Sequence, residues 1–139
     1  MNDKDFQTAK NRIAPLFSKW IKDFGLRWYQ IDIIYKMGDA PERGDGYIAA
    51  MNVVSRWQYR TATVTVFIEE VPENDYKLER MVVHELIHIF LNPMRGSDWD
   101  NEKEEYVVES LVNAFLFVEE GARQRTLAEK KCKNTSLKK

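Results

Sequence analysis

Residues 79–93 read ERMVVHELIHIFLNP. As a helix, this stretch is apolar on nearly every side, because Met81, Val82, Val83, Leu86, Ile87, Ile89, Phe90 and Leu91 leave almost no face for water. Such a helix has to be buried, so the remaining chain must be arranged around it. The same stretch carries both histidines of the protein, His84 and His88, with Glu85 directly after the first. Burying two imidazoles and a carboxylate costs on the order of several kcal/mol unless a partner satisfies them.

His84-Glu85-Leu86-Ile87-His88 is an HExxH pattern. Positions i and i+4 of a helix share a face, so both imidazoles can reach one ion. Glu85 is rotated by about 100° around the axis. It is poorly placed as a ligand alongside them, but it can act on a water molecule nearby. Two neutral nitrogen ligands and an adjacent carboxylate base are the minimum for zinc-activated hydrolysis.

A catalytic zinc site takes a third protein ligand and leaves a fourth position for water. The candidates on the following segment are Glu102, Glu104, Glu105 and Glu109. The first three lie in the polar opening turn DNEKEEY, where water can solvate them. Glu109 is flanked by Val107, Val108, Leu111 and Val112, where a lone carboxylate needs a partner and a metal is a strong one. Glu109 is therefore the preferred third ligand, with Glu105, one turn earlier on the same face, as runner-up or supporting group. A metzincin arrangement fits less well, since the position six residues after His88 is Met94 and the expected glycine is Leu91. Asp98 and Asp100 are better explained as helix caps.

Around this motif the 139 residues suit one domain with a real core. The formal net charge of −1 gives no reason to expect nucleic acid or an anionic membrane as partner. No run of 18 apolar residues is present, and the polar start MNDKDFQTAKNR lacks the apolar core of a signal peptide. The single cysteine, Cys132, excludes an internal disulfide, so a reducing, cytoplasmic setting is expected.

Phe6, Ile13, Leu16, Phe17, Trp20, Ile21 and Phe24 recur at helical spacing, predicting a helix that ends near Gly25, with a kink or a start at Pro15. RWYQIDIIYKM (27–37), YIAAMNVVSRW (47–57) and TATVTVFIEE (61–70) read as strands, with a loop at 38–46 and a hairpin at QYR. The active-site helix should run from about Tyr76 to Leu91, capped by Asp75 and stopped by Pro93, with Asn92 disfavoured from the αR region. A second helix should run from about Asn101 to Glu120, capped by Asp98 or Asp100. The expected fold class is α+β: an N-terminal helix, a three-stranded mainly antiparallel sheet, the active-site helix and a second C-terminal helix. Residues 1–122 form the domain, and 123–139 are expected to be a basic, flexible, solvated tail.

With HExxH on one helix and Glu109 on the next, the chain resembles the gluzincins, zinc peptidases whose third ligand is a glutamate. The gap from His88 to Glu109 is of the size that group uses. More narrowly, ESLVNAF (109–115) is similar to the ExxANxF element of ImmA/IrrE-type regulatory peptidases, with Val112 at the usual alanine. The layout also resembles minigluzincins and small phage-encoded metallopeptidases. The resemblance covers about residues 28–118, and no helix-turn-helix accompanies it.

This resemblance implies a zincin-like minimal domain in which a small sheet lies above the active-site helix and an edge strand pairs with an extended peptide or protein substrate. By order along the chain the edge is 47–55, with TATVTVFIE inside. The implied chemistry is Zn2+ on His84, His88 and Glu109, with Glu85 as general base. Tyr106 is a candidate oxyanion donor, although a core or rim role accounts for it better. Asn113 or an acidic side chain is expected to orient the imidazoles. Two other readings stay open: a zinc-dependent regulator that binds or cleaves one partner, and a non-catalytic domain with a vestigial or structural metal site.

Overall fold

The computed structural model describes residues 2–38, 40–42 and 49–136. Three helices and three strands follow one another as α1 (Asp3–Asp23), β1 (Gln30–Lys36), β2 (Met51–Arg56), β3 (Thr61–Phe67), α2 (Asp75–Leu91) and α3 (Asn101–Ser136). Short 3-10 turns at Trp57–Tyr59, Ile68–Glu70 and Asn92–Met94 join them. Among the described residues, no helix is long and apolar enough to cross a membrane. Much of the expected 38–46 loop, together with Tyr47 and Ile48 of the expected second strand, lies outside the described residues.

Helix α1 begins with the Asn2 side chain accepting the Asp5 N–H at 2.9 Å. It runs through Pro15 without ending. An internal proline costs about 3 kcal/mol, but Ile13, Phe17 and Trp20 are all buried on either side of it. Each such side chain contributes roughly 1.5–3 kcal/mol on burial, so packing prevails. The chain then leaves through Gly25 in the left-handed region (φ +65°), which glycine adopts without a Cβ penalty.

The sheet is mixed, not mainly antiparallel. Its order is β1-β3-β2, with β1 parallel and β2 antiparallel to the central β3. The reason lies in the connections. The tight turn at Trp57–Arg60 makes β2 and β3 a hairpin, while β1 ends at the same end of the sheet where β2 begins, on the other side of β3. The register aligns Ile33, Val64 and Val53 in one row across the three strands. Ala62, Val64 and Val66 of β3 face the helices and are buried, while Thr61, Thr63 and Thr65 lie on the other face.

Helix α2 packs against α1, α3 and β2. Leu78, Val82, Val83, Leu86, Ile87 and Ile89 are all fully buried, but Phe90 is exposed and Met81 half-buried, so the helix is not enclosed on every side as its composition suggested. Its cap is Asn74, whose side chain accepts the Lys77 N–H at 2.9 Å; the expected cap, Asp75, instead pairs with Arg12. Asn92 does adopt αR before Pro93. Its buried side chain is held there by the Trp57 N–H, 3.2 Å away.

Asp100 caps α3, accepting the N–H groups of Glu102 and Lys103. The helix does not stop near Glu120 but continues to Ser136. A lone Gly121 costs only about 1 kcal/mol in a helix, and the alanines, arginines and lysines after it are strong helix formers. Arg123, assigned to the tail by sequence, docks on the buried carboxylate of Glu79 at 2.9 Å. Glu79 also accepts the Trp20 indole N–H at 2.9 Å, so one carboxylate ties α1, α2 and α3 together.

Candidate metal centre

Helices α2 and α3 cross the site antiparallel: His84 meets Glu105 and Glu109, while His88 meets Glu104 and Glu105. The two Nε2 atoms lie 3.1 Å apart. Glu105 places Oε2 3.3 Å from Nε2 of His84 and Oε1 3.2 Å from Nε2 of His88. Glu105 is thus the carboxylate that faces both imidazoles. Glu109 lies behind His84, with Oε1 2.8 Å from Nδ1, and does not join the group that could hold an ion. Helix geometry explains the difference. Val108 and Val112 point into the core, and Glu109, rotated off them, is half-exposed one turn beyond the point midway between the histidines.

Each imidazole is held from behind by a carboxylate that is itself held by an arginine. Nδ1 of His84 faces Glu109, which is paired with Arg80. Nδ1 of His88 lies 2.7 Å from Glu104, which also accepts from Arg95 at 2.7 Å and from the indole of Trp99. A carboxylate facing Nδ1 keeps the proton on that nitrogen. With the imidazoles neutral in that tautomer, both Nε2 atoms offer lone pairs and the Glu105 carboxylate adds a third acceptor between them, an arrangement that a cation would satisfy at all three points.

Neither a family model, nor a curated protein, nor a solved structure matches this chain. What the chain can do is carried by its own residues.

The supporting carboxylates are tuned for their task. Burial would raise the Glu104 carboxyl, but the hydrogen bonds from Arg95, His88 and Trp99, with the charge of Arg95, outweigh it and leave the pKa below the usual carboxylate value. For Glu109, burial also pushes upward, and the hydrogen bonds from His84 and Arg80 prevail, again lowering it. Both stay anionic and keep their grip on Nδ1.

Glu85, the expected base, is buried on α2. Tyr106 is well exposed on α3. Asn113, expected to orient an imidazole, acts one step further out by accepting from Arg80 at 2.6 Å. Glu104 does not sit in a water-solvated turn; it is 2% exposed. Its signal in the sequence is the buried row Glu104, Val108, Val112, Leu116 at four-residue spacing, which continues the core face back into the acidic segment. Arg80 and Arg95 carry no such signal.

A cleft of about 290 Å³ opens beside the centre. Lys77, Arg80, Met81 and His84 of α2 form one wall, and Ala49, Ala50 and Met51, where the chain enters the edge strand β2, form another. Glu109 closes it on the α3 side.

Proposed function

We propose that this protein is a zinc-dependent peptidase whose metal is held by His84, His88 and Glu105. The observation that carries the proposal is the meeting of two Nε2 lone pairs and one carboxylate within 3.1 to 3.3 Å of one another. Donors on tetrahedral zinc, with bonds of about 2.0–2.1 Å, stand about 3.3 Å apart. Three nitrogen and oxygen donors, with an open cleft alongside, fit a catalytic rather than a closed structural site. Bound there, zinc supplies Lewis acidity toward a peptide carbonyl and lowers the pKa of water toward ~7.

The chain's own groups do the rest. Glu85 takes the proton of the attacking water and passes it to the departing amine. Glu104 and Glu109 hold both imidazoles in the Nδ1–H tautomer and orient Nε2 toward the ion. The exposed edge of β2 beside the cleft supports binding of an extended peptide by main-chain pairing. The span from Lys77 to His84 along α2 is about 10 Å, which accommodates three extended residues.

Purified protein should contain one zinc per chain, removed by chelation together with peptide cleavage. Glu85→Gln should retain zinc and lose at least 100-fold in kcat. Equal turnover by Glu85→Gln would remove Glu85 as the base. Stoichiometric zinc with no cleavage by the wild type would leave a metal-dependent binding protein in place of a peptidase.

A further inference from the structure

The 36 residues of α3 extend over about 54 Å. Glu104, Val108, Val112 and Leu116 are the residues it buries, and every residue from 123 to 136 is exposed. The opposite flank carries large apolar side chains in water: Phe117 is 82% and Val118 64% exposed, with Tyr106 and Val107 a few turns earlier. A helical extension of this length is marginal in water without packing. Val107, Ser110, Ala114, Phe117, Gly121, Gln124 and Ala128 follow one another at alternating intervals of three and four, which places them along one seam of the helix.

Charge is distributed unevenly along this helix. Its approach and first turn hold Asp98, Asp100 and Glu102 against Lys103, with Glu104 and Glu105 turned toward α2. Beyond Gly121 it holds Arg123, Arg125, Lys130, Lys131 and Lys133 against Glu129. A surface that is acidic at one end, apolar in the middle and basic at the other complements itself only when reversed. That is the requirement of an isologous two-fold contact.

We propose that α3 pairs antiparallel with α3 of a second copy of this chain, centred on Phe117 and Val118. In this register Ala114 lies opposite Gly121 and Val107 opposite Ala128, so small side chains let the backbones approach beside the central aromatic. The acidic start of each helix lies along the basic end of the other. Glu104 and Glu105 point toward α2, so pairing on the other flank leaves both metal centres clear. The contact does not depend on whether those centres are catalytic.

Sedimentation of the full chain under reducing conditions should give twice the single-chain mass of 16.4 kDa. Phe117→Glu combined with Val118→Glu should weaken the dimer more than 100-fold while the protein stays folded by circular dichroism, since both positions are exposed. The orientation is read through Cys132, the only cysteine. Lys103 is 29 positions away, about 43 Å along the same helix, so a cysteine there cannot reach its own Cys132. Mild oxidation of Lys103→Cys should give a disulfide-linked dimer, absent in the wild type and lost when Phe117→Glu is added. A monomer at all concentrations overturns the proposal, and so does a dimer indifferent to the Phe117 and Val118 substitutions. A wild-type Cys132–Cys132 disulfide, or no cross-link in Lys103→Cys, overturns the antiparallel arrangement.

Discussion

Glu105 and Glu109 differ by one helical turn, and that turn separates a carboxylate facing both Nε2 atoms from one standing behind His84. The two should be distinguishable by metal affinity. In competition with a chelator, Glu105→Ala should lose well over 100-fold in zinc affinity, whereas Glu109→Ala and Glu104→Gln should lose about 10–100-fold, as expected of groups that hold a ligand rather than act as one. The reverse order would restore Glu109 as the ligand. The sequence pointed to the two histidines, which the fold does bring together, and to one helix face for the third group. It preferred Glu109 over Glu105 for its apolar neighbours, but hydrophobic neighbours in sequence are not neighbours in space. The valines beside Glu109 turn inward, and Glu109 does not. Arg80 and Arg95 were invisible for a related reason: an arginine four residues before one histidine and seven after the other reads as ordinary surface charge.

At the level of elements, local rules were legible and pairings were not. The helical spacing of α1, the hairpin of β2 and β3 and the capping by Asp100 follow from short-range chemistry that neighbouring residues determine. The parallel alignment of β1 with β3 follows from β1 pairing with β3 and not with β2, its neighbour in sequence, a choice that no local pattern encodes. Past Gly121, α3 also makes an ion pair at a distance. Arg123 anchors the helix past Gly121 by reaching the buried Glu79 on α2. Arg123→Ala should therefore destabilise the zinc-free protein by about 1–2 kcal/mol in urea denaturation, less than a fully buried pair because the arginine is half-exposed. A change below about 0.5 kcal/mol would show that α3 holds its position without that bond.

For the whole molecule, the metal and the fold should report on each other. His84 and His88 come from the central helix and Glu105 from its neighbour, so an ion held by all three also fastens α2 to α3. At a free zinc concentration about 1,000 times the dissociation constant, linkage adds about 4 kcal/mol of stability. For a domain of this size that corresponds to a rise of roughly 14 °C in Tm. Calorimetry should show that rise, its reversal by chelation and its absence in Glu105→Ala. An unchanged Tm in the wild type would mean that the ion, if bound, does not join the two helices.

The antiparallel crossing of α2 and α3 has one more consequence. All three convergent donors, and both carboxylates behind the histidines, come from a single helix–loop–helix between His84 and Glu109. The sheet and α1 contribute no donor to that group and serve as its support. Such a centre is modular: histidines four apart on one helix, facing a glutamate midway between them on its reversed neighbour, form a unit that any well-packed antiparallel helix pair could display.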